Sequence, residues 1–326
     1  MLKLYRQLKA QGILSINRRN SDYVLRYNPR KLFPLVDDKL KTKNLALTAG
    51  IAVPLLYSTI VSEQQIKNFP AMIKPYKDFV IKPVHGMGGE GILVISNCIN
   101  GFYRQANGKL LTQEELDHHL SGILSGIYSL GGAADLAMIE QRIVADPIFA
   151  DLSFAGVPDL RIIILLGYPV MAMLRLPTSL SRGKANLHQG AIGVGVNLAT
   201  GKTLGGVFHN KALDFHPDTF VSVSNLLIPY WQQILLIAAN CFELTGLGYL
   251  GVDLVLDAVR GPLMLELNAR PGLNIQIANR AGGLKIYQQI ETHVAGLSKP
   301  EDAARRVAHV QDIFGYAQQK ILQGDA

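Results

Sequence analysis

Gly251-Val252-Asp253-Leu254-Val255-Leu256-Asp257, followed after a short break by Leu263-Met264-Leu265-Glu266-Leu267-Asn268, is the stretch that decides the fold. Two apolar runs flank Arg260-Gly261, the pattern of a β-hairpin. Successive strand side chains point to opposite faces, so Glu266 and Asn268 share one face. Folding the hairpin about residues 259–260 sets Asp253 opposite Glu266 and Gly251 opposite Asn268, with cross-strand neighbours about 5 Å apart. Two carboxylates and an amide oxygen then converge. Ionised carboxylates facing each other repel, and a divalent cation removes that cost; an all-oxygen set suits Mg²⁺ or Mn²⁺. The plainer alternative is a solvent-facing hairpin edge whose charge Arg260 and Arg270 balance.

Toward the N-terminus, Phe79-Val80-Ile81-Lys82-Pro83-Val84 reads as a strand and Ile92-Leu93-Val94-Ile95 as a second one. Between them, His85-Gly86-Met87-Gly88-Gly89-Glu90-Gly91 matches G-x-G-x-x-G in letters only. A dinucleotide fingerprint needs a helix to begin inside the loop, and a Walker A loop needs Lys-Ser/Thr where Ile92-Leu93 stands. What remains is a glycine-rich hairpin tip. Gly86, Gly88, Gly89 and Gly91 leave backbone N–H groups unobstructed for phosphate, and Lys82 adds a point charge. An ordinary flexible hairpin with a partly exposed lysine is the competing reading.

The remaining pattern predicts short helices over 2–11 and 37–49, an irregular stretch over 12–36, and a Thr112-capped helix from Gln113 to about Leu130. Strands are predicted over 137–143, 160–166, 170–176 and 191–196. A long helix over 227–245 stops at Gly246, and 284–324 looks helical. Hairpins rather than strict strand–helix alternation point to an α+β fold.

The 326 residues are 48% hydrophobic and 17% charged, which excludes disorder and permits a sizeable core. Only Cys98 and Cys241 are present, too few for a disulfide scaffold, and no C-x-x-C pair offers zinc. The longest apolar run, Ile162 to Leu174, is too short to span a bilayer and contains Gly167-Tyr168-Pro169. The opening residues lack the uninterrupted apolar core of a secretory signal, so a cytoplasmic protein without a transmembrane segment is expected. The net charge is +7, yet residues 1–43 hold eleven Lys/Arg against three Asp, so the excess sits in one leading segment. No zinc-finger, RRM or basic-zipper pattern accompanies it, so nucleic acid is not an expected partner. An anionic substrate or partner, or simply a solvated helix face and loop, would account for it.

Taken in order, these motifs resemble the ATP-grasp superfamily, in particular RimK-type α-L-glutamate ligases. The resemblance covers roughly residues 37–283. Asp38-Lys39-Leu40 begins the helix from which that family sends a first lysine to ATP. Lys82 and the 86–91 loop look like its second lysine and phosphate-covering hairpin. Glu140-Gln141-Arg142-Ile143 resembles the hinge that receives adenine. Asp159-Leu160-Arg161 is similar to the family's Asp-Ile-Arg strand entry beside the nucleotide. Lys184-Ala185-Asn186-Leu187-His188-Gln189-Gly190 resembles its Arg-Ser-Asn-Leu-His-x-Gly loop, with lysine replacing arginine at 184. Glu266-Leu267-Asn268-Ala269-Arg270-Pro271-Gly272 resembles the metal-bearing Glu-x-Asn-Ala-x-Pro-Gly.

The resemblance implies two α+β subdomains clasping ATP, with a truncated region before them: a basic segment over 1–36, an N-terminal subdomain over 37–138 and a C-terminal subdomain over 139–326. It implies ATP and Mg²⁺ (or Mn²⁺) as cofactors, with Asp253, Glu266 and Asn268 holding the metal. Lys39, Lys82, the loop glycines, Glu140–Ile143, Asp159, Lys184 and Asn186 would hold ATP. Arg270 and Lys82 would act in catalysis. Arg161, Arg175 and His188 are candidates for substrate contact, although a lone strand arginine is also an ordinary ion-pair partner. The implied reaction is carboxylate–amine ligation through an acyl phosphate, adding an amino acid such as glutamate to a small-molecule or peptide acceptor. The short leading region leaves room for a partner subunit or a homo-oligomer. A nucleotide-binding module without chemistry, docking through its basic segment, is the alternative from another class; an ATP-grasp phosphotransferase is a third.

Overall fold

The computed structural model of the protein describes residues 2–86 and 88–323. Two antiparallel sheets organise the chain, as hairpin-rich patterning demands. The smaller has six strands: β1 (Leu56–Ile60), β2 (Phe79–Pro83), β3 (Leu93–Ile99), β4 (Phe102–Gln105), β5 (Leu110–Leu111) and β6 (Ala137–Glu140), in the order β1-β6-β2-β3-β4-β5. The larger has seven: β7 (Asp159–Leu165), β8 (Tyr168–Leu176), β9 (Ile192–Val196), β10 (Thr203–Phe208), β11 (Lys211–Leu213), β12 (Tyr249–Asp257) and β13 (Gly261–Asn268), in the order β11-β10-β9-β8-β7-β12-β13.

Seven principal helices accompany them: α1 (Leu2–Ala10), α2 (Lys39–Thr48), α3 (Gln113–Leu124), α4 (Trp231–Thr245), α5 (Asn274–Ala278), α6 (Leu284–Gly296) and α7 (Ala303–Gln323). Leu116, Leu120 and Ile123 recur at helical spacing and place one face of α3 against Phe79, Ile81 and Ile95 of the small sheet. Every residue of β7 and β12 is buried, which explains why their sequences are nearly continuous apolar runs.

The β12–β13 hairpin pairs Asp253 with Glu266 and Gly251 with Asn268, the register read from sequence. The turn is one residue longer than expected, because Asp257 pairs with Gly261 and leaves residues 258–260 as the loop. Asp257 Oδ1 accepts the N–H groups of Val259 and Arg260, an Asx-type turn, and Gly261 takes φ +70°. The difference is absorbed at Leu265, an extra residue between Met264 and Glu266, so that a β-bulge puts the acidic pair in register.

Several boundaries differ from expectation. Helix α3 carries its Thr112/Glu115 capping box but ends at Leu124, not Leu130. The chain reverses at Gly126 (φ +83°), where any Cβ would lie 2.2 Å from the Ala133 carbonyl oxygen. Helix α4 starts at Trp231 rather than 227, after Tyr230 takes a left-handed conformation. The 284–324 stretch is two helices separated around Pro300, and residue 324 lies outside the described residues. The 12–36 region is not irregular throughout: residues 16–27 form consecutive helical turns, including an i→i+5 stretch at Arg19–Val24. That segment belongs to the large core. Tyr23 is buried, and its ring meets those of Tyr249 at 5.7 Å and Tyr287 at 4.9 Å.

Candidate functional site

Lys39, Lys82, Gly86, Gly88, Gly89 and Glu266 line one cleft between the small sheet and the β12–β13 hairpin. Its volume of ≈ 30 Å³ holds a water or two. Asp38 caps α2 by accepting the Lys41 N–H at 2.9 Å, which sets Lys39 at the start of that helix, facing the hairpin. Lys39 Nζ donates to the Gly86 carbonyl at 2.5 Å. Burial pulls the Lys39 ammonium below its ordinary pKa, and Glu266 opposes the shift.

Lys82 projects from β2 on the same face as Val80, which pairs with Glu140 of β6. The Lys82 ammonium forms an ion pair with Glu140, and Lys43 Nζ approaches the other oxygen at 2.9 Å. All three side chains are buried. Burial alone would raise the Glu140 carboxyl, but the two ammonium groups outweigh it and hold it below the usual range. Lys43 follows Lys39 by four residues, so one helix face delivers both lysines.

The glycine loop is shaped by two kinds of requirement. Gly88 takes φ +65° with nothing within 4 Å of where a Cβ would stand, so only its backbone conformation calls for glycine. Gly91 takes φ +72°, and a Cβ there would lie 2.6 Å from Tyr128 Cγ. His119 secures the same end, with Nε2 3.0 Å from the Gly91 carbonyl.

On the large sheet, Arg161, Asp253 and Glu266 occupy one row across β7, β12 and β13. Both nitrogens of the Arg161 fork engage Asp253, with Nη2 on Oδ2 at 2.5 Å. Arg175 Nη2 donates to the same oxygen at 2.8 Å and also pairs with Asp159. Burial is the largest influence on Asp253, but Arg161 and Arg175 overcome it and drive the carboxyl well below the carboxylate range. Burial pushes Asp159 the other way, with Arg175 opposing and Asp253 reinforcing the rise. Here the structure departs from the simplest sequence picture: Asp253 shares a face with Glu266 and Asn268, but both its oxygens are engaged by arginines. Arg161 and Arg175 are in turn ion-pair partners within the sheet, the ordinary role open to a strand arginine.

The other expected residues lie around this centre. Gln141 donates its backbone N–H to Leu55 and its side-chain oxygen accepts from Arg260 Nη1 at 2.9 Å; Arg142 pairs with Asp78 at 2.8 Å, and Ile143 follows half-buried. Thus the Arg260 guanidinium serves the 140–143 connection rather than the acidic row. In the 184–190 loop, Asn186 accepts the His188 N–H, and His188 Nε2 lies 3.4 Å from Asn274 Nδ2. Lys184 is exposed and reaches toward the glycine hairpin, its Cδ 3.9 Å from where a Gly89 Cβ would stand. Asn268 Oδ1 accepts the Arg270 N–H at 2.8 Å, while the exposed Arg270 guanidinium covers the Phe33 ring at 5.1 Å and lies 3.8 Å from Asp37.

Sequence reasoning missed the supports. Arg19 donates to the Pro271 carbonyl at 2.8 Å, so the basic segment braces the 266–272 loop. Asn28, buried, bonds both backbone groups of Tyr249 and the Ala269 carbonyl. Nothing in the Asn/Arg/Pro-rich text around Asn28 marks it as an internal clamp. For Lys43 a signal existed in its i, i+4 spacing from Lys39.

Residues 18–292 match the profile of sugar-transfer associated ATP-grasp proteins. No curated protein matches the sequence. Among solved structures, the ATP-grasp ligase PsnB complexed with minimal precursor is 14% identical, with a TM-score of 0.43, covering 82% of this chain and 63% of its own. D-cycloserine synthetase DcsG is 15% identical (TM-score 0.45; 82% and 73%). The RimK domain ATP-grasp protein from Sphaerobacter thermophilus DSM 20745 is 14% identical (TM-score 0.41; 80% and 70%). The chain thus spans somewhat under two thirds of the first of these structures. The profile match runs from the basic segment through both sheets and past the β12–β13 hairpin, and it places the chain in the sugar-transfer associated ATP-grasp family, with ATP and Mg²⁺ as its cofactors.

Proposed function

We propose that the protein is a carboxylate–amine ligase that forms an amide bond at the expense of ATP. One observation carries this reading: two lysines, a glycine hairpin and Glu266, contributed by helix α2, the small sheet and the large sheet, close on a single cleft. Positive side chains and free backbone N–H groups suit a polyphosphate, and carboxylate and amide oxygens opposite them suit its cation.

Glu266 and Asn268 fit Mg²⁺ as oxygen donors on one face, with Asp253 beside them in the row. Among the described residues no group of three or more His, Cys, Asp and Glu could hold a metal. A pair of protein oxygens completed by phosphates is how Mg²⁺ is commonly held. Bound Mg²⁺ would neutralise charge on the phosphate oxygens.

The chain's own residues then have distinct tasks. Lys39 and Lys82 oppose the negative charge that spreads over the transferring phosphoryl oxygens. Glu140 and Lys43 hold Lys82 in place. The 86–91 hairpin excludes water, which would hydrolyse an acyl phosphate before an amine could open it. Arg270, exposed in the loop after β13, is the residue we assign to the substrate carboxylate, with Lys184 and His188 of the 184–190 loop as its helpers. An amino acid such as glutamate is the proposed donor or acceptor, and a peptide is a suitable partner for it. Arg19 and Arg26 are spent on internal contacts, to Pro271 and Glu291, which weakens the reading of the basic segment as a docking arm.

ADP and phosphate release is expected only when acid and amine are supplied together with Mg·ATP. Mass spectrometry of products from an amino-acid and peptide panel identifies the amide. A phosphorylated product without amide would make the protein a phosphotransferase instead, and full turnover by Glu266→Gln would remove the metal-side assignment.

A further inference from the structure

The cleft residues rest on a carboxylate that none of the roles above uses. The Asp135 side chain is fully shielded from solvent, yet lies in a loop just before β6. It accepts from four donors: Ser129 Oγ at 2.6 Å, the Leu136 N–H at 2.7 Å, the His85 N–H at 2.9 Å and, at 2.7 Å, His85 Nδ1. A buried carboxylate is costly unless fully satisfied, and a plain turn does not require one. Two of its four donors belong to His85, the first residue of the glycine loop.

The backbone on either side of His85 is held as well. The Val84 N–H donates to the Leu136 carbonyl at 3.0 Å, and Gly86 bridges to Ser129. From the other direction, Lys39 Nζ donates to the Gly86 carbonyl at 2.5 Å and lies 3.4 Å from the Val84 carbonyl. The outer ring nitrogen of His85 lies 3.8 Å from Asp38, the cap of the Lys39 helix. Residues 84–86 are therefore the joint where the hairpin, the 129–136 segment and α2 meet.

We propose that Asp135 and His85 form a positioning pair that fixes the root of the glycine hairpin and, through the Val84 and Gly86 carbonyls, the place of Lys39 in the cleft. Neither touches the reacting atoms in this scheme; both act through Lys39 and the loop backbone. The inference rests on the reading of the cleft as a nucleotide site.

Binding of Mg·AMPPNP by calorimetry to the full chain and to His85→Ala, His85→Asn and Asp135→Asn tests it. Asparagine keeps a donor near the position of Nδ1; alanine does not. His85→Ala and Asp135→Asn are expected to weaken binding about tenfold, the effect of one charge-assisted hydrogen bond, while His85→Asn stays within about threefold of the parent. In turnover, KM for ATP rises and KM for the acceptor does not. Should Asp135→Asn fail to fold, the contrast between the two His85 variants decides, since that side chain is 45% exposed. Equal affinity in His85→Ala and the parent, or equal loss in His85→Asn and His85→Ala, overturns the positioning role. No binding by the parent protein overturns the nucleotide reading itself and the pair with it.

Discussion

Arg161 and Asp253 meet across β7 and β12 in a two-pronged ion pair, with Asp253 2% exposed. Glu266, one strand further along the same row, is only half-buried and faces the cleft. One row thus carries a carboxylate neutralised inside the sheet and another turned to the ligand side. The two should respond differently to the same chemical change.

Asp253→Asn removes the shared counter-charge of Arg161 and Arg175 and leaves two buried guanidiniums with Asp159 alone. Breaking a buried pair from one side costs about 3–5 kcal/mol. Glu266→Gln, outside that network, should change folding stability by less than about 1 kcal/mol while abolishing ADP release. Guanidinium unfolding curves and turnover, measured on both variants, separate the two roles. A stability loss of equal size in both would mean that the row acts as one unit.

Glu140 offers a pH-resolved prediction. Its folded carboxyl sits below the ordinary value because Lys82 and Lys43 outweigh burial. A depressed carboxyl contributes stability that is present above its unfolded pKa, near 4.3, and is lost as pH falls through the lower folded value. Glu140→Gln lacks this contribution and leaves two buried ammonium groups unpaired, for a loss of about 3–5 kcal/mol at pH 7. The parent and variant unfolding free energies should differ fully above about pH 5 and draw together on acidification. A gap that stays constant down to the acid limit would assign the loss to packing instead.

These two carboxylates also mark what the text of the chain could and could not disclose. The β12–β13 hairpin was legible because period-two patterning and a turn signal fix a register, and Asp253 opposite Glu266 follows from it. The bulge at Leu265 was not, since the apolar run Leu263-Met264-Leu265 hides a one-residue slip. The glycine hairpin was legible from its flanking apolar runs, whereas β10 was not: Gly205 and Gly206 break its pattern, and their fit depends on neighbours distant in sequence, Ser224 and Val223 among them. Lys82 and Glu266 could be picked out from their own motifs, and Lys39 joined them only through the resemblance to the ATP-grasp superfamily. The ion pairs that claim Asp253, and Asp135 beneath His85, are tertiary facts that no local pattern carries.

Asn28 tests whether the basic segment is part of the fold. Its amide bonds the Tyr249 N–H at 2.9 Å, the Tyr249 carbonyl at 2.6 Å and the Ala269 carbonyl at 2.8 Å. Asn28→Ala strands these three groups in the interior, at about 3 kcal/mol or more in total given roughly 1–3 kcal/mol per unsatisfied buried group. The clamp joins the start of β12 to the loop after β13, so the variant should also lose Mg²⁺-dependent turnover before it unfolds. Thermal melting and assay at 25 °C report the two effects. An unchanged melting temperature would detach the segment from the core.

The loop glycines separate backbone strain from collision. Gly88 and Gly91 both take positive φ, where a side chain costs about 1–3 kcal/mol. At Gly88 that is the whole penalty, because a Cβ would meet nothing within 4 Å. At Gly91 the Cβ would also press to 2.6 Å on the Tyr128 ring, whose neighbour His119 holds the Gly91 carbonyl. Gly88→Ala should therefore lose no more than about 1–3 kcal/mol of folding stability and bind nucleotide more weakly, since the tip must retain its shape to offer N–H groups to phosphate. Gly91→Ala should lose more folding stability than Gly88→Ala, because Tyr128 and the loop end must both shift. Urea unfolding and AMPPNP titration of the two variants give the comparison. A ranking in which Gly88→Ala is the less stable would show that the tip, rather than the Tyr128 contact, sets the conformation of the loop.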